Sequence, residues 1–160
     1  MPGSLSSAAR ADLAARLGRE ILADIPLARA IGLAVSAWDG DSLVLAAPLA
    51  PNVNDKGCAF GGSLACVMTL AGWGLIRLAQ DARGLAADLY VQDSALRYLA
   101  PVWKDFSAVA RLAPGEAFAP FLDALGTRGK ARLRVECVVA LADGTPAATL
   151  EARFVALARS

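Results

Sequence analysis

The sequence predicts an α+β fold in which one antiparallel sheet curls around a single buried helix, and three observations carry that prediction. From Gly62 to about Ala79 the apolar residues cover every side of a helical wheel, the mark of a helix wrapped by protein and not one lying on a surface. From Ala131 to Leu141 the pattern becomes alternating: Ala131, Leu133, Val135, Cys137, Val139 and Leu141 are set against Lys130, Arg132, Arg134 and Glu136. That run reads as a strand with one dry and one wet face. The elements come in the order helix, two strands, long helix, four strands, and a helix apolar all round has to be covered on more than one side.

In chain order, Leu13, Leu17 and Ile21 recur at every fourth residue and give an amphipathic helix from Ser7 to Ala23, with Asp12 near its positive end. Residues 1 to 6 are expected to be loose. Pro26 and Gly32 bracket a second, short helical turn, since proline suits a first turn and glycine a left-handed stop. LAVSAW and SLVLAAPL flank Asp39-Gly40-Asp41, a tight-turn signal that makes them a hairpin. Gly84 ends the long helix, and DLYVQDSALRYLAPV, DFSAVARL, GKARLRVECVVAL and AATLEARFVAL then read as strands, the last two joined at Asp143-Gly144. Between the second and third of these lies a short helix carrying Phe118, Phe121, Leu122 and Leu125 on one side, with Gly126 as its expected stop. Residues 1–24 are read as an N-terminal helical extension and residues 25–160 as one domain.

The composition excludes several classes of function. A net charge of +1 and the lack of a dense Lys/Arg cluster interleaved with aromatics predict no nucleic-acid partner. Cys58, Cys66 and Cys137 are odd in number and widely spaced, which argues against a disulfide framework and against a zinc site; no metal is expected, and a reducing cytoplasm is the simplest setting. The first 25 residues show no basic start followed by an apolar segment, so no signal peptide is expected. The longest uncharged apolar run, Ser63 to Ile76, is about 14 residues against the roughly 20 of a membrane span, so no membrane partner is expected either. The chain contains no histidine. Ser-His-Asp and Cys-His catalysis, histidine-ligated metals and histidine-dependent dehydration are therefore closed, and chemistry is left to carboxylates, backbone dipoles, hydroxyls, thiols or lysine.

Several blocks together carry a family resemblance: Pro26-Leu27-Ala28-Arg29-Ala30-Ile31-Gly32, Asn52-Val53-Asn54-Asp55-Lys56-Gly57, Phe60-Gly61-Gly62-Ser63, Ala71-Gly72-Trp73-Gly74, Gln92-Asp93-Ser94 and Arg97-Tyr98-Leu99-Ala100-Pro101. With these the chain resembles the bacterial thioesterase domain of the YiiD type, a hotdog-fold family found C-terminal to an acetyltransferase domain. The resemblance runs from about residue 24 to residue 158, and its stand-alone form is the expectation here. It implies a curved antiparallel sheet wrapped around a long central helix, and hydrolysis of an acyl thioester. The broader hotdog thioesterases are similar more loosely, through a His-Gly-Gly and an acid further along the helix. Phe60 stands where that histidine would be and Thr69 where the acid would be.

Thioester hydrolysis needs donors for the oxygen that becomes negative, a group to activate water, and a slot for the acyl chain. Gly61 and Gly62, at the start of the buried helix, offer unpaired backbone N–H groups without side chains in the way. Preorganised donors of this sort are worth roughly 3 to 4 kcal/mol in a transition state. With no carboxylate between Gly62 and Leu78, Asp55 is the nearest acid in sequence and is read either as the water-activating base or as a loop cap. Asp93 is the next candidate, either as base or as an ion partner of Arg97 on the same strand. Thr69 and Asn54 are candidates for holding water or substrate; Phe60, Ser63 and Trp73 are candidates for the substrate slot, with Trp38 and Tyr98 as further large apolar residues read either as its lining or as core. Arg128 and Lys130 open a strand around Gly129, and similar starts in hotdog thioesterases lie near the phosphates of coenzyme A; Lys56 would add to that patch.

The expected substrate is a small-molecule acyl thioester of coenzyme A or of an acyl carrier protein. Coenzyme A enters as part of the substrate, and no separate cofactor is expected. A hotdog sheet has an open edge and a half-built cleft, both covered by pairing two chains, so a homodimer or a dimer of dimers is expected. The alternative to an enzyme is a non-catalytic acyl-binding module with the same slot and the same glycines.

Overall fold

The computed structural model of the protein describes residues 4–160. Helix α1 (Ser7–Asp24) starts at an N-cap, Ser6, whose side chain accepts from the Ala9 N–H at 3.1 Å. The Leu5 carbonyl accepts from the Arg10 guanidinium at 2.9 Å. Leu5 and Ser6 are thus tied down and not loose as expected, and residues 1–3 of that expectation lie outside the described residues. Leu17 and Ile21 are fully buried in the cluster that also holds the long helix and the sheet. The four-residue spacing that marks α1 as amphipathic therefore docks it into the common core.

Helix α2 (Pro26–Ala30) begins on proline, and the chain reverses at Gly32 with φ +70. Strands β1 (Ala34–Trp38) and β2 (Ser42–Ala47) form the expected hairpin. Its turn is closed by Asp39, whose Oδ1 accepts the Asp41 and Ser42 N–H groups at 2.9 and 2.7 Å. After helix α3 (Gly61–Arg83) come β3 (Ala87–Tyr98), β4 (Phe106–Leu112), α4 (Phe118–Arg128), β5 (Lys130–Ala140) and β6 (Pro146–Ala158). The six strands make one antiparallel sheet in the order β1-β2-β4-β5-β6-β3.

α3 packs against β2, β3, β4, β5 and β6, which is the wrapped arrangement of a hotdog fold. Two glycines let the sheet approach the helix backbone: a Cβ on Gly72 would lie 2.8 Å from Val135 Cγ2, and one on Gly74 would lie 2.8 Å from Leu43 Cδ2. By length and apolar character alone α3 could cross a membrane. Here Leu64, Val67, Met68, Ala71, Leu75, Ile76 and Leu78 are covered by the sheet and α1, as a core helix of a soluble-type domain requires.

One stop signal is corrected. α4 runs through Gly126 and ends at Gly129, which has φ +71 and donates its N–H to the Leu125 carbonyl at 3.0 Å. Gly126 lies inside the helix with room beside it, so nothing forces a reversal there. In β5 every odd-numbered residue from Ala131 to Val139 is buried, as the alternation predicts. The outermost strands are β1, backed by α1, and β3, which is mostly exposed from Tyr90 to Tyr98.

Candidate functional site

The polar loop before α3 is a built structure. Val53 bridges Ala59, and the Asn54 side chain fills the turn between them: its Oδ1 accepts from the Lys56 and Cys58 N–H groups at 2.8 and 3.3 Å, and its Nδ2 lies 3.2 Å from Cys58 Sγ. Gly57, with φ +88, lets the turn close. Beneath it Asn52 is buried, and its Nδ2 donates to the Ile31 and Pro48 carbonyls at 2.8 and 2.7 Å. The Asn52 carbonyl accepts from the Phe60 N–H at 2.7 Å, and Ala59 N–H donates to Val102 at 2.8 Å. These bonds fix the point from which α3 is launched.

That launch point carries no cap. Phe60 is the N-cap residue, with φ −66 and ψ 133, and makes no side-chain capping bond. The first bond to it comes from the Leu64 N–H at 3.1 Å. Among the described residues, the N–H groups of Gly61, Gly62 and Ser63 have no acceptor. Two aromatic rings flank them. The Phe60 ring lies over Gly62, where a Cβ would be 2.4 Å from Cε1, and Tyr98 lies beside Gly61, where a Cβ would be 3.4 Å from its ring. The Tyr98 hydroxyl donates to the Gly61 carbonyl at 3.2 Å. Phe60, Tyr98 and the nearby Trp103 are each more than half exposed. The result is an electropositive backbone cradle with apolar walls.

The two candidate acids are placed differently. Asp55 is at the tip of the loop, 81% exposed, with its carboxylate 3.1 Å from Lys56 Nζ. Asp93 lies on the outer face of the sheet, opposite Arg153 in register and 3.9 Å from its guanidinium. The ion partner expected for it, Arg97, is replaced by this cross-strand arginine. The cause is a bulge at Gln92: β3 pairs Val91 with Phe154 and Asp93 with Arg153, leaving Gln92 extra. Uninterrupted alternation would point Asp93 inward with Leu89; the bulge turns it outward and turns Ser94, Leu96 and Tyr98 inward, opposite Ala152, Leu150 and Ala148.

The remaining candidates spread along α3. Ser63 is buried beside the glycines. Thr69, half-buried, lies on the face of Gly62, about 10 Å farther along the helix. Trp73 donates its indole N–H to the Leu89 carbonyl at 3.1 Å, under the Arg77 guanidinium at 5.8 Å, so it also pins α3 to β3. Arg128 and Lys130 line a cleft of about 580 Å³ between α4 and β5, together with Arg132. Neither Arg128 nor Lys130 makes an ion pair among the described residues. Across β6, the β5 start at this cleft is level with the Ala87 end of β3, whereas the cradle adjoins its Tyr98 end, so within one chain they are about 35 Å apart along the strand direction. Burial pushes the Cys66 thiol up and holds that of Cys137 at about 12, so neither is a ready thiolate.

Sequence reasoning passes over two contributors and reads a third only in part. Asn52, the buried anchor, was read only as part of a motif. Arg132 is legible as the third cation of the β5 start. Tyr98 is legible as a large apolar residue for the acyl slot but not as a neighbour of Gly61, because the bulge that brings it to the cradle has no sequence signature of its own.

Comparison with known proteins agrees with this architecture. A family model described as "Putative thioesterase (yiiD_Cterm)" matches residues 14–158, a span that takes in more than half of α1. A Chlorobaculum tepidum protein of unknown function superposes with a TM-score of 0.87 at 28% identity, over 94% of this chain and 97% of that one. A Shewanella oneidensis protein described as a "putative thioesterase" gives a TM-score of 0.81 at 29% identity, over 92% and 99% of the two chains. A Pseudomonas aeruginosa protein, at 24% identity and a TM-score of 0.75 over 91% and 96%, shares the fold. With its hotdog sheet, its uncapped glycine helix start and a family match over nearly its whole length, the chain belongs to the thioesterase family typified by the YiiD C-terminal domain.

Proposed function

We propose that the protein hydrolyses an acyl thioester of coenzyme A or of an acyl carrier protein, with water as nucleophile and the α3 start as oxyanion hole. The observation that carries this reading is the set of unpaired N–H groups on Gly61, Gly62 and Ser63 at the uncapped, positive end of α3. The thioester carbonyl oxygen docks on these donors. Water adds to the carbonyl carbon, the new C–O bond displaces the carbonyl π pair onto that oxygen, and collapse breaks the C–S bond. Asp55 takes the proton from the attacking water and passes it to the departing thiolate, so the products are one acid and one thiol. Phe60 and the face of α3 through Thr69 and Trp73 line the acyl slot.

In this reading the working unit is a homodimer paired along β3. Antiparallel pairing of two β3 edges sets the Ala87 end of one strand beside the Tyr98 end of the other. It thereby brings Arg128, Lys130 and Arg132 of one chain to the same end of the joint sheet as the partner subunit's Gly61 and Gly62, where cations suit the phosphates of coenzyme A. Three free thiols fit a reducing cytoplasm.

The exposure of Asp55 favours a second reading, an acyl-CoA binding module that keeps the cradle but activates no water. Thiol release from acetyl-, octanoyl-, palmitoyl- and benzoyl-CoA separates the two. Hydrolysis predicts release from at least one, cut at least 100-fold in Asp55→Asn with the melting temperature near that of the wild type. Micromolar binding by calorimetry with no release from any of them identifies the binding module, and equal turnover in the variant removes Asp55 as base.

A further inference from the structure

We propose that Tyr98 is the residue that positions the attacking water, a role that rests on the thioesterase reading above. No carboxylate of the chain's own sheet faces the cradle where an acid would act: Asp93, the one acid in the central part of β3, is turned to the outer face by the Gln92 bulge. The same bulge reverses the second half of β3 and carries Tyr98 to Gly61. A tyrosine hydroxyl has one proton and two acceptor lone pairs. Here the proton is committed to the Gly61 carbonyl at 3.2 Å. The oxygen therefore presents only acceptor capacity to its surroundings, within one residue of the N–H groups that would hold the carbonyl oxygen. A water donating one hydrogen to Tyr98 Oη stands beside a thioester carbon whose oxygen lies on the cradle, with its second hydrogen free to leave. Tyr98 takes no proton in this step. It fixes the water's lone pair toward the carbon, and the base remains a separate group.

The ring and the hydroxyl make separable contributions, because the ring packs on Gly61 whether or not Oη is present. Tyr98→Phe keeps the ring packing and deletes the hydroxyl, which means both its acceptor lone pairs and the bond it donates to the Gly61 carbonyl, whereas Tyr98→Ala removes the ring as well. With the acyl-CoA panel above, Tyr98→Phe should lower kcat 10- to 100-fold, leave KM within about twofold, and melt within about 2 °C of the wild type. Tyr98→Ala should show at least that loss in kcat together with a lower melting temperature. Wild-type kcat in Tyr98→Phe overturns the role. A raised KM at unchanged kcat also overturns it, since that is the signature of a residue that only binds substrate. A Tyr98→Phe loss that tracks a fall in melting temperature, with normal turnover per folded molecule, marks a structural hydroxyl and overturns it too. The two levels separate cleanly: a wild type that releases no thiol from any of the four substrates overturns both readings, whereas an active wild type matched by Tyr98→Phe overturns this one alone.

Discussion

The two ends of α3 are built to opposite rules. At its C-terminus Gly84 adopts φ +70 and donates its N–H to the Asp81 carbonyl at 3.1 Å, while the Leu85 N–H reaches Gln80 at 3.0 Å. Arg83 lies in the last turn, and Arg77 joins Asp81 and Glu20 at 3.0 and 3.1 Å, tying this end to α1. At its N-terminus a phenylalanine occupies the N-cap and two glycines follow. A Ser or Asp cap there would contribute about 1 kcal/mol. The chain uses such a cap at Ser6, so the device is within its repertoire. Helices α2 and α4 also begin without a side-chain cap, so what sets the start of α3 apart is its pair of glycines flanked by two exposed aromatic rings, an open end where local stability yields to binding.

The sharpest way to break this contrast is to close the open end without disturbing it. Gly61→Pro does so. The first helical position accepts proline because its N–H has no helical partner, and Phe60 already holds the extended conformation that a residue before proline requires. A Cβ at position 61 would meet Tyr98 at an ordinary 3.4 Å. The substitution removes that donor and puts a ring carbon in its place. If the cradle holds the oxyanion, kcat for acyl-CoA hydrolysis should fall about 100- to 1,000-fold, with the melting temperature unchanged or higher. Wild-type turnover in this variant would show that the Gly61 N–H is not part of the hole.

The closed end predicts the converse. At Gly84 a Cβ would meet no atom within 4 Å, so Gly84→Ala introduces backbone strain and no clash. The left-handed conformation then costs about 1 kcal/mol, which for a chain of this size lowers the melting temperature by about 2–4 °C. Turnover per folded molecule should stay at the wild-type value. Loss of activity in Gly84→Ala at full folding would mean that the two ends are coupled, and the contrast between them would fail.

Much of this was legible from the chain. Apolar residues on every side of positions 62–79 mark α3 as a wrapped helix, strict alternation in β5 places its two faces, and the absence of histidine leaves the glycines at the α3 start among the few groups able to carry chemistry. What could not be read is where the period breaks. Gln92 carries no mark of a bulge, yet that one extra residue decides that Asp93 faces outward and Tyr98 inward. Gly126 and Gly129 are equally good stops by composition, and only the left-handed turn at Gly129 chooses between them. Leu17 and Ile21 advertise an apolar stripe, but that its partner is the rest of the core is a tertiary fact. Spacing reports periodicity; single-residue departures from it are set by packing.

Between its two ends the shaft of α3 is sealed, and the weakest effect, silent at neutral pH, tests that. Cys66 lies just over a turn inside the open end and is half-buried, and burial raises its thiol. Cys137, across from Gly72 at the middle of the helix, is fully buried, and desolvation of the thiolate carries it to about 12. Because the folded state raises this pKa, the stability it contributes is fully present below the unfolded value of about 8.5 and is lost as pH rises from there through about 12. At pH 8, iodoacetamide should therefore modify Cys66 slowly and Cys137 more slowly still, at least 100-fold below its rate in the urea-unfolded chain, as read by mass spectrometry of the labelled peptides. Comparable native rates at the two positions would mean that water enters along α3 from its open end as far as Gly72, and the division into one open end and one closed shaft would no longer hold.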